Sequence, residues 1–200
     1  MTDYFALLNE QRRPWIDTEL LKQKFLALSA EVHPDRVHGA AESQKRAAQE
    51  RYTELNAAYN CLREPKERLA HLLELESGAK PKQVQNVPPD LMNVFMEITN
   101  VCRGADSVLA EKDSTTSALL KLQLFEQGQD WAEKLMALQG EINGWREELM
   151  ARLKEVDAEW ISSPDRRRYL IGLLEKQSQL LGYFGRWSAQ IQERIVRLSL

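Results

Sequence analysis

The tripeptide His33-Pro34-Asp35 stands between two segments that have the apolar spacing of amphipathic helices. The first segment, Asp17 to Val32, ends at the tripeptide, and the second ends at Leu62, shortly before Pro65. Each segment places its apolar residues on one helical face, at Leu21, Phe25, Leu28 and Val32, then at Ala48, Tyr52, Leu55, Tyr59 and Leu62. Two such helices joined by a short polar loop are expected to form an antiparallel pair that buries both faces. Asp17 or Thr18 is expected to cap the first helix.

The residues on either side of the tripeptide add a second pattern. Asp3-Tyr4-Phe5-Ala6-Leu7-Leu8 precedes the helical pair, and the run from Arg51 to Tyr59, RYTELNAAY, is followed by Leu62 and Pro65. Together with His33-Pro34-Asp35 this resembles the J-domain of the DnaJ class, which switches on the ATPase of DnaK-type chaperones. A histidine at a helix end is on its own usually a capping or solvated residue, so the resemblance depends on the flanking residues. It implies that residues 4–8 form a short helix across the pair.

The segment after the second helix narrows the resemblance. The run from Arg63 to Leu75, REPKERLAHLLEL, and Gly78 are similar to the junction in the HscB family of iron–sulfur co-chaperones, as is the opening Asp-Tyr-Phe-x-Leu. The resemblance implies a co-chaperone, not an enzyme, that stimulates the ATPase of an HscA/DnaK-class chaperone. It also implies delivery of an IscU-type iron–sulfur scaffold protein to that chaperone.

The chaperone-binding residues implied by the J-domain pattern are His33, Pro34, Asp35, Arg36, Lys22 and Lys24. Pro34 keeps the residue before it out of the helical region, and Asp35 offers a carboxylate that can reach an arginine of the chaperone. General J-domains often have basic residues at the positions of Leu26, Ala27 and Glu31. This departure predicts a weak electrostatic encounter or a specialised chaperone partner.

The remaining sequence predicts an all-α protein with three parts. A J-domain spans residues 1–75, a linker with Gly78, Pro81, Pro88 and Pro89 spans 76–90, and a three-helix bundle that binds the client spans 91–200. A long second bundle helix, with a break near Gln127-Gly128, is expected from about Thr115 to Trp160. Ser163 and Pro164 are expected to start the last helix, whose apolar stripe begins at Leu173 and Leu180.

The client-binding residues implied by the HscB resemblance are Leu91, Met92, Phe95 and Met96. Leu91 and Phe95 also lie on the stripe expected to face the bundle core, so burial explains them equally well. Met92 and Met96 lie off that stripe, and exposed methionines suit an adaptable binding surface. The family's glutamates are expected where Met96, Thr99 and Arg103 stand, which weakens the match.

Composition excludes several other functions. The formal charge of -3 gives no basic excess for nucleic acid. Cys61 and Cys102 form no CxxC pair, so both are predicted to be buried apolar residues, and no metal or cofactor is expected. No stretch of about eighteen apolar residues and no signal peptide are evident. A cytoplasmic protein, monomeric or weakly oligomeric, is therefore expected.

Two alternatives remain open at the level of sequence. One is a J-domain co-chaperone of the same layout that serves a different client or a different chaperone. The other is an adaptor whose J-domain no longer stimulates ATP hydrolysis. The missing glutamates favour the first of these, and the sparse basic residues favour the second.

Overall fold

The computed structural model describes residues 2–33, 36, 39, 41–79 and 87–199, and every regular element in these ranges is helical. The α-helices of this part of the chain are α1 Tyr4–Leu7, α2 Thr18–Glu31, α3 Glu42–Arg63, α4 Pro65–Ser77, α5 Met92–Ser114, α6 Ala118–Ser162 and α7 Arg167–Ser199. Short 3-10 turns, Pro89–Leu91 and Pro164–Arg166, lead into α5 and α7. The all-α class predicted from the sequence is confirmed.

The predicted helical pair is formed by α2 and α3. Asp17 caps α2, since its carboxylate accepts hydrogen bonds from the backbone N–H groups of Glu19 and Leu20 at 2.9 and 3.1 Å. The rings of Phe25 and Tyr59 stack between the helices with centroids 4.4 Å apart. The one-turn helix α1 contacts α3. The side chains that are fully enclosed in this part of the fold include Phe5, Leu8, Leu21, Leu55 and Leu62.

Helix α4 has a distinct residue at each end. Pro65 occupies the first position of the helix. A backbone N–H at this position has no acceptor within the helix, so the lack of this group in proline loses no hydrogen bond. At the other end Gly78 adopts a left-handed conformation with φ of 75°, and its N–H donates to the carbonyl of Glu74 at 2.9 Å. The predicted linker, 76–90, includes residues 80–86, which lie outside the described residues.

A buried histidine joins α4 to α1. His71 is 7% exposed, and its Nε2 accepts the backbone N–H of Tyr4 at 3.1 Å. The imidazole also stacks on the ring of Phe5, with centroids 5.8 Å apart. An Nε2 that accepts a hydrogen bond carries no proton, so this contact requires the neutral imidazole.

We expect the free energy of unfolding to fall as the pH drops below about 6.5. Burial lowers the pKa of His71 below its ordinary value, while nearby Asp3 and Glu74 raise it and Arg12 lowers it further. A depressed pKa in the folded state stabilises the protein above the unfolded value of about 6.5, and this stabilisation is lost as the pH falls through the folded value. Urea titrations between about pH 5 and 7.5 would measure it. His71→Gln should flatten the dependence; an unchanged slope would show that other groups cause it.

The chain divides into two compact units. The first consists of Met1–Lys82 and Ala151–Ser178, and the second of Gln83–Met150 and Gln179–Leu200. Helices α6 and α7 each contribute residues to both units. The domain limits expected from the sequence, 1–75 and 91–200, stay a prediction.

The second unit is built from α5 and from parts of α6 and α7. Side-chain contacts join all three helices, namely Gly104 with Trp131, Gln139 with Ser188, Trp145 with Phe184, and Asp106 with Arg194. The predicted core residues of α5 are buried from Ile98 onward, with Cys102, Ala105 and Leu109. The bundle geometry of this unit therefore agrees with the apolar stripe of its sequence.

Two local expectations for α6 and α7 were wrong, and a third, that Ser163 and Pro164 start the last helix, was confirmed in position only. Helix α6 continues without a break through Gly128, which is buried beside Leu198, so packing compensates for the low helix propensity of glycine. Ser163 stands at the cap position before Pro164, but its hydroxyl caps no helix N–H. In α7 the buried stripe begins at Leu170 and Leu174, whereas Leu173 and Leu180 are half-buried.

Candidate chaperone and client surfaces

His33 lies just beyond α2, and its ring rests against α3. The imidazole meets the ring of Tyr52 edge-on, with centroids 5.4 Å apart, and is half-buried. The carbonyl of His33 accepts the N–H of Arg36 at 2.9 Å. Pro34 and Asp35 lie outside the described residues. The described part of the tripeptide is therefore attached to the helical pair through Tyr52.

The two lysines of α2 have different environments. Lys22 is exposed and has no ion pair within the described ranges. Lys24 donates from Nζ to Glu10 Oε1 at 2.8 Å and to the carbonyl of Asn9 at 3.1 Å. Lys24 therefore holds the segment after α1. Leu26 is 55% exposed on the same helix, so an apolar side chain occupies a surface position where a basic one is frequent in J-domains.

The start of α5 has a cluster of accessible apolar side chains. Leu91 is half-buried, while Met92, Phe95 and Met96 are 41%, 37% and 56% exposed. The core of the helix begins only at Ile98. Burial in the bundle therefore does not account for Leu91 and Phe95, which was one of the two explanations that the sequence left open.

Thr99 and Arg103, which stand where the HscB resemblance leads us to expect glutamates, also lie on α5. Thr99 donates its hydroxyl to the carbonyl of Phe95 at 2.7 Å, and Arg103 is exposed. Met96, Thr99 and Arg103 therefore place no carboxylate at these three positions, while the neighbouring Glu97 is exposed.

Sequence reasoning missed a buried polar cluster in the first unit. Asp157 is 2% exposed and accepts hydrogen bonds from Nε of Arg13 at 3.0 Å, from Nη2 of Arg13, and from the N–H of Trp15 at 3.1 Å. The Asp157 carboxylate raises the pKa of Arg13. Trp160 donates its indole N–H to the carbonyl of Arg12 at 2.9 Å. These bonds fix residues 12–15, which precede α2.

Arg68 fixes the same segment from α4. Its Nε donates to the carbonyl of Pro14 at 2.9 Å and its Nη1 to the carbonyl of Leu62 at 2.7 Å. Burial lowers the pKa of Arg68 to about 10, so the guanidinium still has its charge near neutral pH. In the sequence Arg68 follows the charged residues Glu64, Lys66 and Glu67, so the local pattern does not indicate that it is buried.

The cysteines show no features of a reactive site. Both are free; Cys102 is buried and Cys61 is half-buried, which corrects the prediction that both are buried. Burial raises the pKa of the Cys61 thiol to about 11, so little thiolate forms at neutral pH. Within the ranges that the structure describes, no group of three acidic, histidine or cysteine side chains could hold a metal ion.

The helices that can be described include none of sufficient length and apolar content to cross a membrane. Even the longest of them, α6, alternates apolar positions with charged ones.

Comparisons with known proteins agree with this fold. The DnaJ domain family model matches residues 3–71. A co-chaperone protein HscB homolog from Chromobacterium violaceum is 35% identical over 123 residues, which are 60% of this chain and 68% of that protein. The homolog from Paraburkholderia phymatum is 38% identical over 72 residues, 36% of this chain and 41% of that protein.

Two solved structures have the same fold. Chaperone HscB from Vibrio cholerae superposes with a TM-score of 0.64 and 21% identity, covering 96% of both chains. Human co-chaperone protein HscB superposes with a TM-score of 0.61 and 19% identity, covering 98% of this chain and 81% of that chain. The resemblance predicted from the sequence is thereby confirmed, and this chain belongs to the HscB family of J-domain co-chaperones.

Proposed function

We propose that this co-chaperone stimulates the ATPase of an HscA/DnaK-class chaperone and delivers an IscU-type scaffold protein to it, assisting iron–sulfur cluster assembly. The observation that carries the proposal is the exposed apolar start of α5 in a chain whose first third is a J-domain. The J-domain supplies the chaperone contact, and Met92, Phe95 and Met96 supply the client contact. The protein performs no chemistry of its own in this proposal and acts in the cytoplasm.

The chaperone contact is proposed to use His33, Pro34, Asp35, Arg36 and Lys22. Asp35 would form a charge-assisted pair with an arginine of the ATPase domain, and such pairs are directional. Lys24 is bound to Glu10, so its part is to hold the segment after α1. Since only Lys22 of the two lysines on α2 has no ion pair among the described residues, electrostatic steering is expected to be weak.

The client contact is proposed to be mainly apolar. Leu91, Met92, Phe95 and Met96 occupy the 3-10 turn and the first turns of α5, and methionine side chains adapt well to a partner's shape. A second candidate, a co-chaperone for another client or chaperone, is favoured by Met96, Thr99 and Arg103 at the positions of the family's glutamates. Measuring whether the IscU-type scaffold protein binds this chain distinguishes the proposed function from the second candidate.

The test is the steady-state ATPase rate of the organism's own HscA or DnaK with this protein, with and without purified scaffold. Under the proposal, the two proteins together raise the rate by more than the sum of their separate effects. Stimulation that is indifferent to the scaffold would support the second candidate. No stimulation with either chaperone would contradict both and favour the adaptor alternative.

Replacing Met92 and Met96 together with alanine should weaken scaffold binding by about 10-fold or more, because truncated apolar anchors typically lose about 1 kcal/mol or more each. Isothermal titration calorimetry would measure the loss. Met136→Ala is the matched control, since Met136 is 51% exposed elsewhere in the bundle and should bind as the wild type does. Equal affinity for the double variant, with unchanged helicity, would remove these residues from the client site.

A further inference from the structure

Two arginines of α7 pair with aspartates of α5 along one line of contact. Arg194 binds Asp106 at 2.8 Å, and Arg197 binds Asp113 at 3.5 Å. The two pairs come in the same order along both helices, so α5 and α7 run parallel. Phe95 precedes Asp106 by eleven residues, about three turns, so both lie on the same side of α5. The α5–α7 seam therefore continues from these ion pairs towards the exposed start of α5.

Arg186 lies on this seam, at the edge of the accessible apolar cluster of α5. It precedes Arg197 by eleven residues, about three turns, and so shares its side of α7. Counted back from the two ion pairs, Arg186 is level with the turn of α5 from Ile98 to Cys102. That turn directly follows Phe95 and Met96. Arg186 therefore borders the proposed client residues.

The guanidinium of Arg186 is oriented by an aromatic ring but has no counter-charge. It lies over the ring of the buried Tyr183, 4.7 Å from the centroid. Arg186 is exposed and forms no ion pair within the part of the chain that the structure describes. On the facing turn of α5, Thr99 offers a hydroxyl that is already bonded to the carbonyl of Phe95. The cation of Arg186 is therefore available to a carboxylate from another molecule.

The acidic residues closest to the cluster lie away from Arg186. Glu97 precedes Gly104 by seven residues, about two turns, and Gly104 packs against α6, so Glu97 is on the α6 side of α5. Asp90 comes before the helix, in the 3-10 turn, and Glu193 is about two turns further along α7. Arg103, which is exposed on α5, adds a second cation. Positive charge therefore borders the cluster on its α7 side.

We infer that Arg186 is a further client-binding residue, which binds a carboxylate of the client beside the apolar contact. The inference rests on the proposed function, since it adds a residue to the same client site. A guanidinium can bind a carboxylate through two parallel hydrogen bonds. Stacking on Tyr183 restricts the side chain before the client arrives, which lowers the entropy lost on binding. The site then selects a client with an acidic residue next to its apolar contact surface.

Isothermal titration calorimetry of the full chain with the organism's own IscU-type scaffold protein tests the inference. Arg186→Ala should raise the dissociation constant by about 5-fold. Arg186→Glu should raise it by about 10-fold or more, because two carboxylates then face each other. Lys121→Glu is the matched control, since Lys121 is exposed near the start of α6, at the other end of α5. The same charge change there should leave the affinity as in the wild type.

Salt dependence separates the charge of Arg186 from a structural role. The wild-type dissociation constant should rise between about 0.05 and 0.5 M NaCl, and that of Arg186→Ala should rise less. Helicity should be unchanged in each variant, because Arg186 is exposed. If Arg186→Glu binds as tightly as the wild type while the double alanine variant of Met92 and Met96 binds weakly, the inference is overturned and the proposed client site stands. A wild type that does not bind the scaffold overturns both.

Discussion

Replacing His33 with glutamine is expected to abolish chaperone stimulation. The stimulated ATPase rate should fall by at least about 10-fold, because the loop supplies a charge-assisted contact worth about 1.4 kcal/mol or more. The fold should survive the change. The imidazole of His33 is half-buried and meets Tyr52 edge-on at 5.4 Å, a contact worth about 0.5–1.5 kcal/mol. Helicity should therefore be unchanged and melting only slightly lowered.

Tyr52→Leu is the control for this experiment. It removes the aromatic partner of His33 but leaves the tripeptide intact, so it should cost similar stability and keep most of the stimulation. The pair of variants separates the packing of the imidazole from its role in the loop. If His33→Gln unfolds the protein, or if Tyr52→Leu loses as much stimulation, His33 acts through structure and the proposed role is wrong.

Local pattern was enough to predict the helices of the J-domain. The limits of α2 and the end of α3 lie within one or two residues of the expected positions, because the apolar period and the capping Asp17 act within a few turns of chain. The stacking of Phe25 on Tyr59 follows from the same two stripes. These features need no information about distant residues.

The candidate surfaces could be predicted only in part. Leu91 and Phe95 continue the apolar period of α5, yet neither is buried. Leu119 and Leu122 at the start of α6 are likewise exposed. Periodicity gives the face of a helix on which a residue lies, whereas burial requires a neighbouring helix at the same level. How much of each helix is buried depends on where the neighbouring helices end and how far they are shifted along it. No short sequence motif determines either of these.

The buried cluster around Asp157 was beyond sequence reasoning for a different reason. Asp157 and Arg13 are separated by 144 residues, and each would usually be read as a solvated surface charge. Only the packing of α6 residues against the segment before α2 reveals that they form a pair. The pairing connects the segment that leads into α2 with α6. The charged character of the two residues is typical of a solvent-exposed surface and gives no indication of this buried contact.

Replacing Asp157 with alanine should lower the free energy of unfolding by about 3 kcal/mol, since breaking a buried pair costs about 3–5 kcal/mol and Arg13 is partly accessible to water. The loss has two physical sources. The N–H of Trp15 loses its acceptor, and the guanidinium of Arg13 loses its counter-charge. Urea denaturation of the two proteins would measure the difference.

Two further variants show whether the effect comes from burial of the pair. Asp157→Asn keeps an acceptor for Trp15 but removes the charge, so its cost should be intermediate. Glu159→Ala, on the same helix, breaks an exposed pair with Arg166 and should cost at most about 1 kcal/mol. If Asp157→Ala cost no more than Glu159→Ala, water would already be satisfying Trp15 and Arg13. The cluster would then not be what fixes the segment before α2.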